Sequence, residues 1–125
     1  MDLNYLKISG REIRKKLNNG IIVSISGPLG VGKTTLIKHI LPEYSVTSPS
    51  FLHMLLYGND FAHIDAYTFK SKEQFLALCI EELLLTRCVI IEWGELLDDV
   101  LINFDAKIIK INLDYGENET RILTY

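Results

Sequence analysis

A glycine-rich run in the first third of the chain carries the clearest chemical pattern of the sequence. The segment Gly27-Pro28-Leu29-Gly30-Val31-Gly32-Lys33-Thr34 fits the pattern G-x-x-x-x-G-K-[ST]. Glycines leave backbone N–H groups free to wrap phosphate oxygens, the lysine reaches the β- and γ-phosphates, and the final hydroxyl binds Mg²⁺. The spacing therefore predicts a P-loop for ATP and Mg²⁺, in which Lys33 contacts phosphate and Thr34 contacts the metal.

A P-loop also needs an acid on the metal side, and two carboxylates follow apolar runs. Glu92 comes directly after Cys88-Val89-Ile90-Ile91, which favours it as the Mg²⁺-side acid, and Trp93 next to it is expected close to the phosphates. Asp65 ends a second apolar segment. Because ligands gather at the carboxyl ends of strands, Asp65 either orients the attacking water or holds a metal-bound water; an Asx turn is an equal alternative. The sequence does not separate the roles of Asp65 and Glu92.

The elements that must position these residues alternate between strand and helix. Strands are predicted at about 3–8, 21–25, 51–57, 61–65, 88–91, 106–113 and 120–124. Helices are predicted at about 10–18 from a capping box at Ser9–Glu12, after the P-loop to about 40, at 71–85 and at 95–101. This alternation predicts an α/β P-loop NTPase fold as a single domain over residues 1–125. Its central sheet is expected to be mostly parallel, flanked by helices, with antiparallel hairpin elements.

Composition narrows the class of protein. The 125 residues lack an apolar run of the roughly 20 residues that a membrane span needs, and Met1–Asn4 does not resemble a signal peptide, so a cytosolic protein is expected. A formal net charge of −3 is unusual for a protein that holds nucleic acid by itself, so any such contact is expected to run through a partner. Cys79 and Cys88 are expected as buried thiols, and the three histidines lack metal-ligand spacing and are expected to be structural.

Two further segments have open interpretations. The basic run Arg11, Arg14, Lys15, Lys16 is more typical of a solvated helix face than of a binding patch for a partner or RNA. The polar turn Thr47-Ser48-Pro49-Ser50-Phe51 lies where P-loop switches sense the γ-phosphate, but from its residues alone an ordinary Ser/Pro loop is favoured.

Four motifs in order make the chain resemble the bacterial tRNA threonylcarbamoyladenosine biosynthesis ATPases, the TsaE family. They are a P-loop over Gly27 to Thr35, a Ser-Pro-Thr-Phe-like segment at Ser48 to Phe51, a His-x-Asp-x-Tyr-Arg-like motif at His63 to Thr68, and a strand ending in Glu92-Trp93. The resemblance covers about Ser9 to Tyr125. The chain departs from the pattern at Thr68, where the family usually has Arg, and at Ser50, where it usually has Thr.

This resemblance implies an ATPase with ATP and Mg²⁺ as its cofactors. It also implies docking on a threonylcarbamoyl-transferase heterodimer, with tRNA reached through that complex and no membrane involved. Asp65 and Glu92 would be catalytic, and Thr34 and Glu92 would hold the metal. The residues implied to hold the nucleotide are Gly27, Leu29, Gly30, Val31, Gly32, Lys33, Thr34, Thr35, Ser48 and Trp93.

Two other classes remain open. A small P-loop kinase would need an acceptor site, commonly rich in Arg, yet outside the N-terminal helix the only arginines are Arg87 and Arg121. A nucleotide-dependent adaptor with negligible turnover would bind ATP equally well and would differ from the ATPase only in rate, and the Thr68 departure supports it as an alternative.

Overall fold

A six-stranded sheet forms the centre of the computed structural model, which describes residues 3–49, 53–115 and 121–124. Its strands are β1 (Ile21–Ser26), β2 (Met54–Tyr57), β3 (Phe61–Asp65), β4 (Cys88–Glu92), β5 (Lys107–Tyr115) and β6 (Arg121–Thr124). Their spatial order is β2-β3-β4-β1-β5-β6. The four central strands are parallel, and β2 and β6 add antiparallel edges. The mostly parallel sheet with antiparallel hairpins is therefore confirmed.

Helices cover both faces of the sheet. They are α1 (Leu3–Arg14), α2 (Lys33–Ile40), α3 (Lys72–Leu76), α4 (Ile80–Leu84) and α5 (Asp98–Leu101). Two 3-10 turns, Ala66–Thr68 and Gly94–Leu97, follow β3 and β4 directly. In the described part of the chain, no helix has both the length and the apolar composition that crossing a bilayer requires.

Alternating side chains of the parallel strands build two cores, one on each face. Ile21, Val23 and Ile25 of β1 pack with α1 and α2, whereas Ile22 packs with the apolar residues of α3 and α4. Strands β1, β3 and β4 are buried on both faces, and β1 and β4 accordingly consist mostly of β-branched residues, whereas β5 is buried only at Ile111 and Leu113. The same alternation turns the last residue of β4, Glu92, towards the face that α2 covers.

The first helix corrects the sequence-based prediction of an edge strand at 3–8 and a helix at 10–18. Leu6, Ser9, Gly10 and Ile13 are buried and recur with helical spacing, so α1 runs through both predicted elements and ends at Arg14. Ser9–Glu12 is helix interior, so the predicted capping box is wrong. Gly10 allows close packing on α2, because a Cβ built on it would lie 2.8 Å from the carbonyl carbon of His39.

The predicted helix at 71–85 is interrupted. It begins at Lys72 as expected, stops at Leu76 and restarts at Ile80, because Cys79 adopts a left-handed backbone with φ of 55°.

Cys79 is exposed, so its predicted burial is wrong. Cys88 is buried as predicted, and this burial raises the pKa of its thiol to about 12. Strand β2 begins at Met54, and the beginning of the predicted strand, residues 51–52, lies outside the described residues, as does residue 120 of the last predicted strand.

Candidate nucleotide and metal site

The glycine loop joins the carboxyl end of β1 to the amino end of α2. Gly27, Gly30 and Gly32 all have positive φ, and Gly32 stands directly before α2 with φ of 112°, a conformation that a residue with a Cβ rarely adopts. The loop therefore turns sharply and leads directly into the first turn of α2. The amino end of a helix attracts anions, since the helix dipole adds positive potential there.

Lys33 lies folded against this loop. Its Nζ donates hydrogen bonds to the carbonyl oxygens of Gly27, at 2.6 Å, and Pro28, at 2.9 Å. It also stands 3.7 Å from the centre of the Trp93 ring, a cation–π contact. Burial lowers the pKa of Lys33, and the nearby carboxylates of Glu95, Glu92 and Asp65 oppose that shift.

Thr34, the next residue, faces the end of β4. Its hydroxyl donates a hydrogen bond of 2.7 Å to Oε1 of Glu92, a side chain that is almost completely buried. The pair joins the first turn of α2 to the strand beside β1. A hydroxyl and a carboxylate oxygen so close together are hard oxygen donors of the kind that Mg²⁺ prefers.

The second oxygen of Glu92 is held by a histidine. Nε2 of His63, a residue with no exposed surface, lies 2.7 Å from Oε2 of Glu92, and Nδ1 of the same ring lies 3.3 Å from the Tyr57 hydroxyl. His63, which was expected to be structural from its spacing, thus contacts a carboxylate of the candidate site. The alternation of β3 carried a usable signal, because a residue two positions before Asp65 must face the same side of the sheet.

Asp65 lies beside Glu92 because β3 and β4 are paired in register at their last residues. Its Oδ1 accepts a hydrogen bond of 3.0 Å from the backbone N–H of Tyr67, and its Oδ2 accepts a longer one of 3.4 Å from the Ser48 hydroxyl. Burial is the main cause that raises the pKa of Asp65, and the charge of Glu92 adds to it. The contact with Tyr67 is the Asx turn that the sequence left as an alternative, and Asp65 also lies beside the second acid, Glu92.

Trp93 adopts a left-handed backbone with φ of 61°, which is uncommon for a large side chain. Its ring packs on Tyr67, with 4.9 Å between the ring centres. Such local strain persists only where the surroundings hold it, and it concentrates at functional sites. Glu95, two residues on, accepts a hydrogen bond of 3.0 Å from the backbone N–H of Gly27 and thereby ties the P-loop to the segment after β4.

A cavity of about 300 Å³ opens between these elements. Ten residues line it: Leu29, Gly30, Gly32, Lys33, Thr34, Thr35, Ser48, Asp65, Glu92 and Trp93. All of them were predicted as site residues. Gly27 and Val31 are the predicted residues that do not line it, since Val31 is buried in the core. His63, Tyr57 and Glu95, which support the site from outside the cavity, were not predicted for it.

Position 68 has no cationic side chain. The Thr68 hydroxyl donates a hydrogen bond of 2.9 Å to the backbone oxygen of Asp65 and lies 2.7 Å from Nδ1 of His53. His53 in turn stacks on Phe69 at 4.9 Å. Thr68 therefore stabilises the turn that follows β3 through its contacts with Asp65 and His53.

A buried strand, a glycine loop, a Lys-Thr pair opening a helix and an acid on the adjacent parallel strand together define a P-loop fold. The known structure of Bacillus subtilis YdiB shares this fold, with a TM-score of 0.71, 17% sequence identity, and coverage of 98% of this chain and 78% of that one.

Sequence comparison identifies the family. The family model described as "Threonylcarbamoyl adenosine biosynthesis protein TsaE" matches residues 2–123, and the chain belongs to this family. Relatives named tRNA threonylcarbamoyladenosine biosynthesis protein TsaE include one from Rickettsia bellii, 32% identical over 86% of this chain and 76% of its own length. Another, from Rickettsia conorii, is 30% identical over 88% of this chain and 66% of its own length. The resemblance given by the four motifs is thus confirmed.

Proposed function

We propose that this protein is an Mg²⁺-dependent ATPase that supports threonylcarbamoyl modification of the adenosine next to the anticodon in tRNA. In this proposal it acts in the cytoplasm with a threonylcarbamoyl-transferase heterodimer and reaches tRNA through that complex. The observation that carries the ATPase part is the 2.7 Å contact between the Thr34 hydroxyl and Glu92 at the mouth of the P-loop. Membership of the TsaE family supports the tRNA part.

The residues present suit ATP with Mg²⁺. The cavity of about 300 Å³ is at the small end of ligand sites and fits a phosphate chain whose base remains outside. Within residues 3–49, 53–115 and 121–124, no three His, Cys, Asp or Glu side chains form a cluster that could hold a metal alone. Mg²⁺ is usually held by one or two protein oxygens together with phosphate oxygens and water, so Thr34 and Glu92 are a sufficient protein contribution. When bound, the ion would neutralise charge on the phosphates.

Lys33 has a defined task in this proposal. Its ammonium is already within reach of the loop carbonyls and is partly desolvated, so exchanging these neutral acceptors for a phosphate oxygen gains a charge-assisted hydrogen bond. Loop amides and the first turn of α2 would bind the remaining phosphate oxygens.

The two acids differ in their surroundings, which supports different roles. Both carboxylate oxygens of Glu92 are already held, by Thr34 and by His63, so Glu92 is fixed in the orientation that a metal-side acid needs. Asp65 has a raised pKa and only a long contact with Ser48 at Oδ2, so this oxygen is the one able to orient a water molecule. We therefore assign the metal side to Glu92 and the water side to Asp65.

Steady-state ATP hydrolysis by the purified chain, alone and with the transferase heterodimer and tRNA, tests the proposal. Strong stimulation by the complex is the expected result, since P-loop turnover is often slow until a partner contributes. Lys33→Ala should abolish ATP hydrolysis both alone and with the complex. Lys38→Ala is the matched control and should keep it, because Lys38 is exposed on the same helix. Absence of nucleotide binding by the wild-type chain would refute the proposal outright.

The second candidate function is a nucleotide-dependent adaptor that binds ATP without useful turnover. The engaged Thr68 hydroxyl favours it, because the position that usually carries Arg in the family supplies no charge to a developing phosphate. Tight ATP binding together with no stimulation by the heterodimer and tRNA would select this alternative. Thr68→Arg would then be expected to raise turnover.

A further inference from the structure

A row of buried polar groups runs from the P-loop helix to the Thr47–Ser48 segment. Starting at α2, the contacts are Thr34 to Glu92 at 2.7 Å, Glu92 to His63 at 2.7 Å, and His63 to Tyr57 at 3.3 Å. The Tyr57 hydroxyl completes the row, with the backbone N and O of Thr47 each 3.3 Å away. His63, Glu92 and Tyr57 are all buried, so water does not compete for these bonds.

The partners of each group limit where the hydrogen atoms of this row lie. An ionised carboxylate can only accept, so Nε2 of His63 is assigned the hydrogen that Glu92 receives, and in that tautomer Nδ1 is an acceptor. The Tyr57 oxygen accepts from the N–H of Thr47, and its single hydrogen has two acceptors at 3.3 Å, Nδ1 of His63 and the carbonyl oxygen of Thr47. With that hydrogen on Nδ1, every donor in the row points towards Glu92. In such a chain each bond polarises the next, so a change at Glu92 alters the acceptor strength met by Thr47.

We propose that His63 and Tyr57 are positioning residues that couple Glu92 to the Thr47–Ser48 segment. This segment also touches the other acid, since the Ser48 hydroxyl donates to Asp65. The row thus links Glu92, the metal-side acid, to the backbone of Thr47, and the next residue, Ser48, contacts Asp65, the water-side acid. The inference rests on the proposed function for the identity of Glu92 as the metal-side acid, but the coupling itself can be measured without nucleotide.

The test is the rate of hydrogen exchange at the backbone amide of Thr47, which NMR measures on the whole chain without nucleotide. Tyr57→Phe removes the acceptor and should make exchange about five times faster. Glu92→Gln, acting through two intervening side chains, should give a smaller acceleration, roughly twofold. In the Tyr57→Phe background, Glu92→Gln should have no further effect on Thr47. An equal effect of Glu92→Gln in both backgrounds, or no effect in either, would overturn the proposal.

Matched controls separate coupling from general loosening. Tyr44→Phe removes a hydroxyl from a ring 5.6 Å from that of Tyr57, and Glu95→Gln repeats the acid-to-amide change at a residue outside the row. Neither variant should change the exchange rate of the Thr47 amide. His63→Gln is the second test variant, because its NH₂ group can take the place of Nε2 and donate to Glu92, while no atom takes the place of Nδ1 beside Tyr57. It should accelerate the exchange of the Thr47 amide as Glu92→Gln does. An unchanged exchange rate of the Thr47 amide in His63→Gln would contradict the proposed coupling.

Coupling must also act in the reverse direction, since linkage is reciprocal. Tyr57→Phe is expected to raise the Mg²⁺ concentration needed for half-maximal ATP binding about twofold to fivefold, while binding of ATP without Mg²⁺ stays unchanged. Fluorescence of Trp93, the only tryptophan, is the readout. Unchanged Mg²⁺ dependence would overturn the coupling. If the wild-type chain binds no nucleotide, the proposed function fails, and the exchange results still decide the coupling.

Discussion

Replacing Thr34 by valine tests the contact on which the candidate site depends. Valine keeps the shape of threonine but cannot donate, so Oε1 of the buried Glu92 loses the 2.7 Å hydrogen bond. A hydrogen bond to a charged group contributes about 1.5–3 kcal/mol, and no cavity is created. For a domain of this size, such a loss lowers the midpoint of thermal unfolding by about 5–15 °C.

Thr34→Ser is the matched control. Serine keeps the hydroxyl and loses one half-buried methyl group, which costs less than about 1 kcal/mol. Denaturant unfolding of the wild type and both variants, without nucleotide, gives the comparison, provided that the slopes with denaturant agree. Equal stability of Thr34→Val and Thr34→Ser would refute the reasoning, because the hydroxyl would then contribute nothing to holding Glu92.

The same pair of variants tests the metal role. Thr34→Val is expected to lose the gain in ATP affinity that Mg²⁺ provides, whereas Thr34→Ser is expected to keep it, since serine offers the same oxygen. Titration of Trp93 fluorescence with ATP, with and without Mg²⁺, measures that gain. A full Mg²⁺ effect in Thr34→Val would remove Thr34 from the metal site.

Four other outcomes are expected. Lys33→Ala should abolish ATP binding measured by calorimetry, and an unchanged affinity would refute the P-loop assignment. Glu92→Gln should keep binding but lose about 100-fold or more in hydrolysis rate; if Asp65→Asn loses it instead, the two acids are reversed. Because burial raises the pKa of Asp65, its ionisation opposes folding, so stability is lost as pH rises through that raised pKa. The stability of Asp65→Asn relative to the wild type should therefore increase from pH 4 to pH 7 in denaturant unfolding, and a pH-independent difference would contradict the raised pKa. Gly10→Ala should destabilise by about 1–3 kcal/mol in thermal unfolding because α1 and α2 must separate, and an unchanged midpoint would contradict that close packing.

The sequence predicts the central strands and the cavity well because both depend on local patterns. A glycine run after a buried strand and an acid after an apolar run are visible without knowing what lies across the sheet. Most of the P-loop residues, Glu92, Trp93 and Asp65 line the cavity for this reason, whereas Ser48 was implied only by the family resemblance.

Two errors concern helices, and one of them arises where a partner distant in the chain decides the outcome. Residues 3–8 look like a strand by composition, but Leu6, Gly10 and Ile13 make one helical face only because α2 is there to receive it. The predicted helix at 71–85 stops because Cys79 takes a left-handed conformation, and no glycine marks that position. Tertiary contact overrides local propensity in the first case, and the break at Cys79 has no counterpart in the sequence pattern.

The sequence favoured Glu92 as the metal-side acid but did not separate its role from that of Asp65, because each residue ends a strand; the strand order gives the two acids different surroundings. β4 lies between β1 and β3, so Glu92 has Thr34 on one side and His63 on the other, and both of its oxygens are engaged. Asp65 has only the antiparallel edge beyond it, and its Oδ2 meets the loop residue Ser48. A fixed carboxylate suits a metal ion that needs constant geometry, whereas a carboxylate with one weakly held oxygen suits a water molecule that must move during reaction. The difference between the two acids thus follows from the positions of their strands in the sheet.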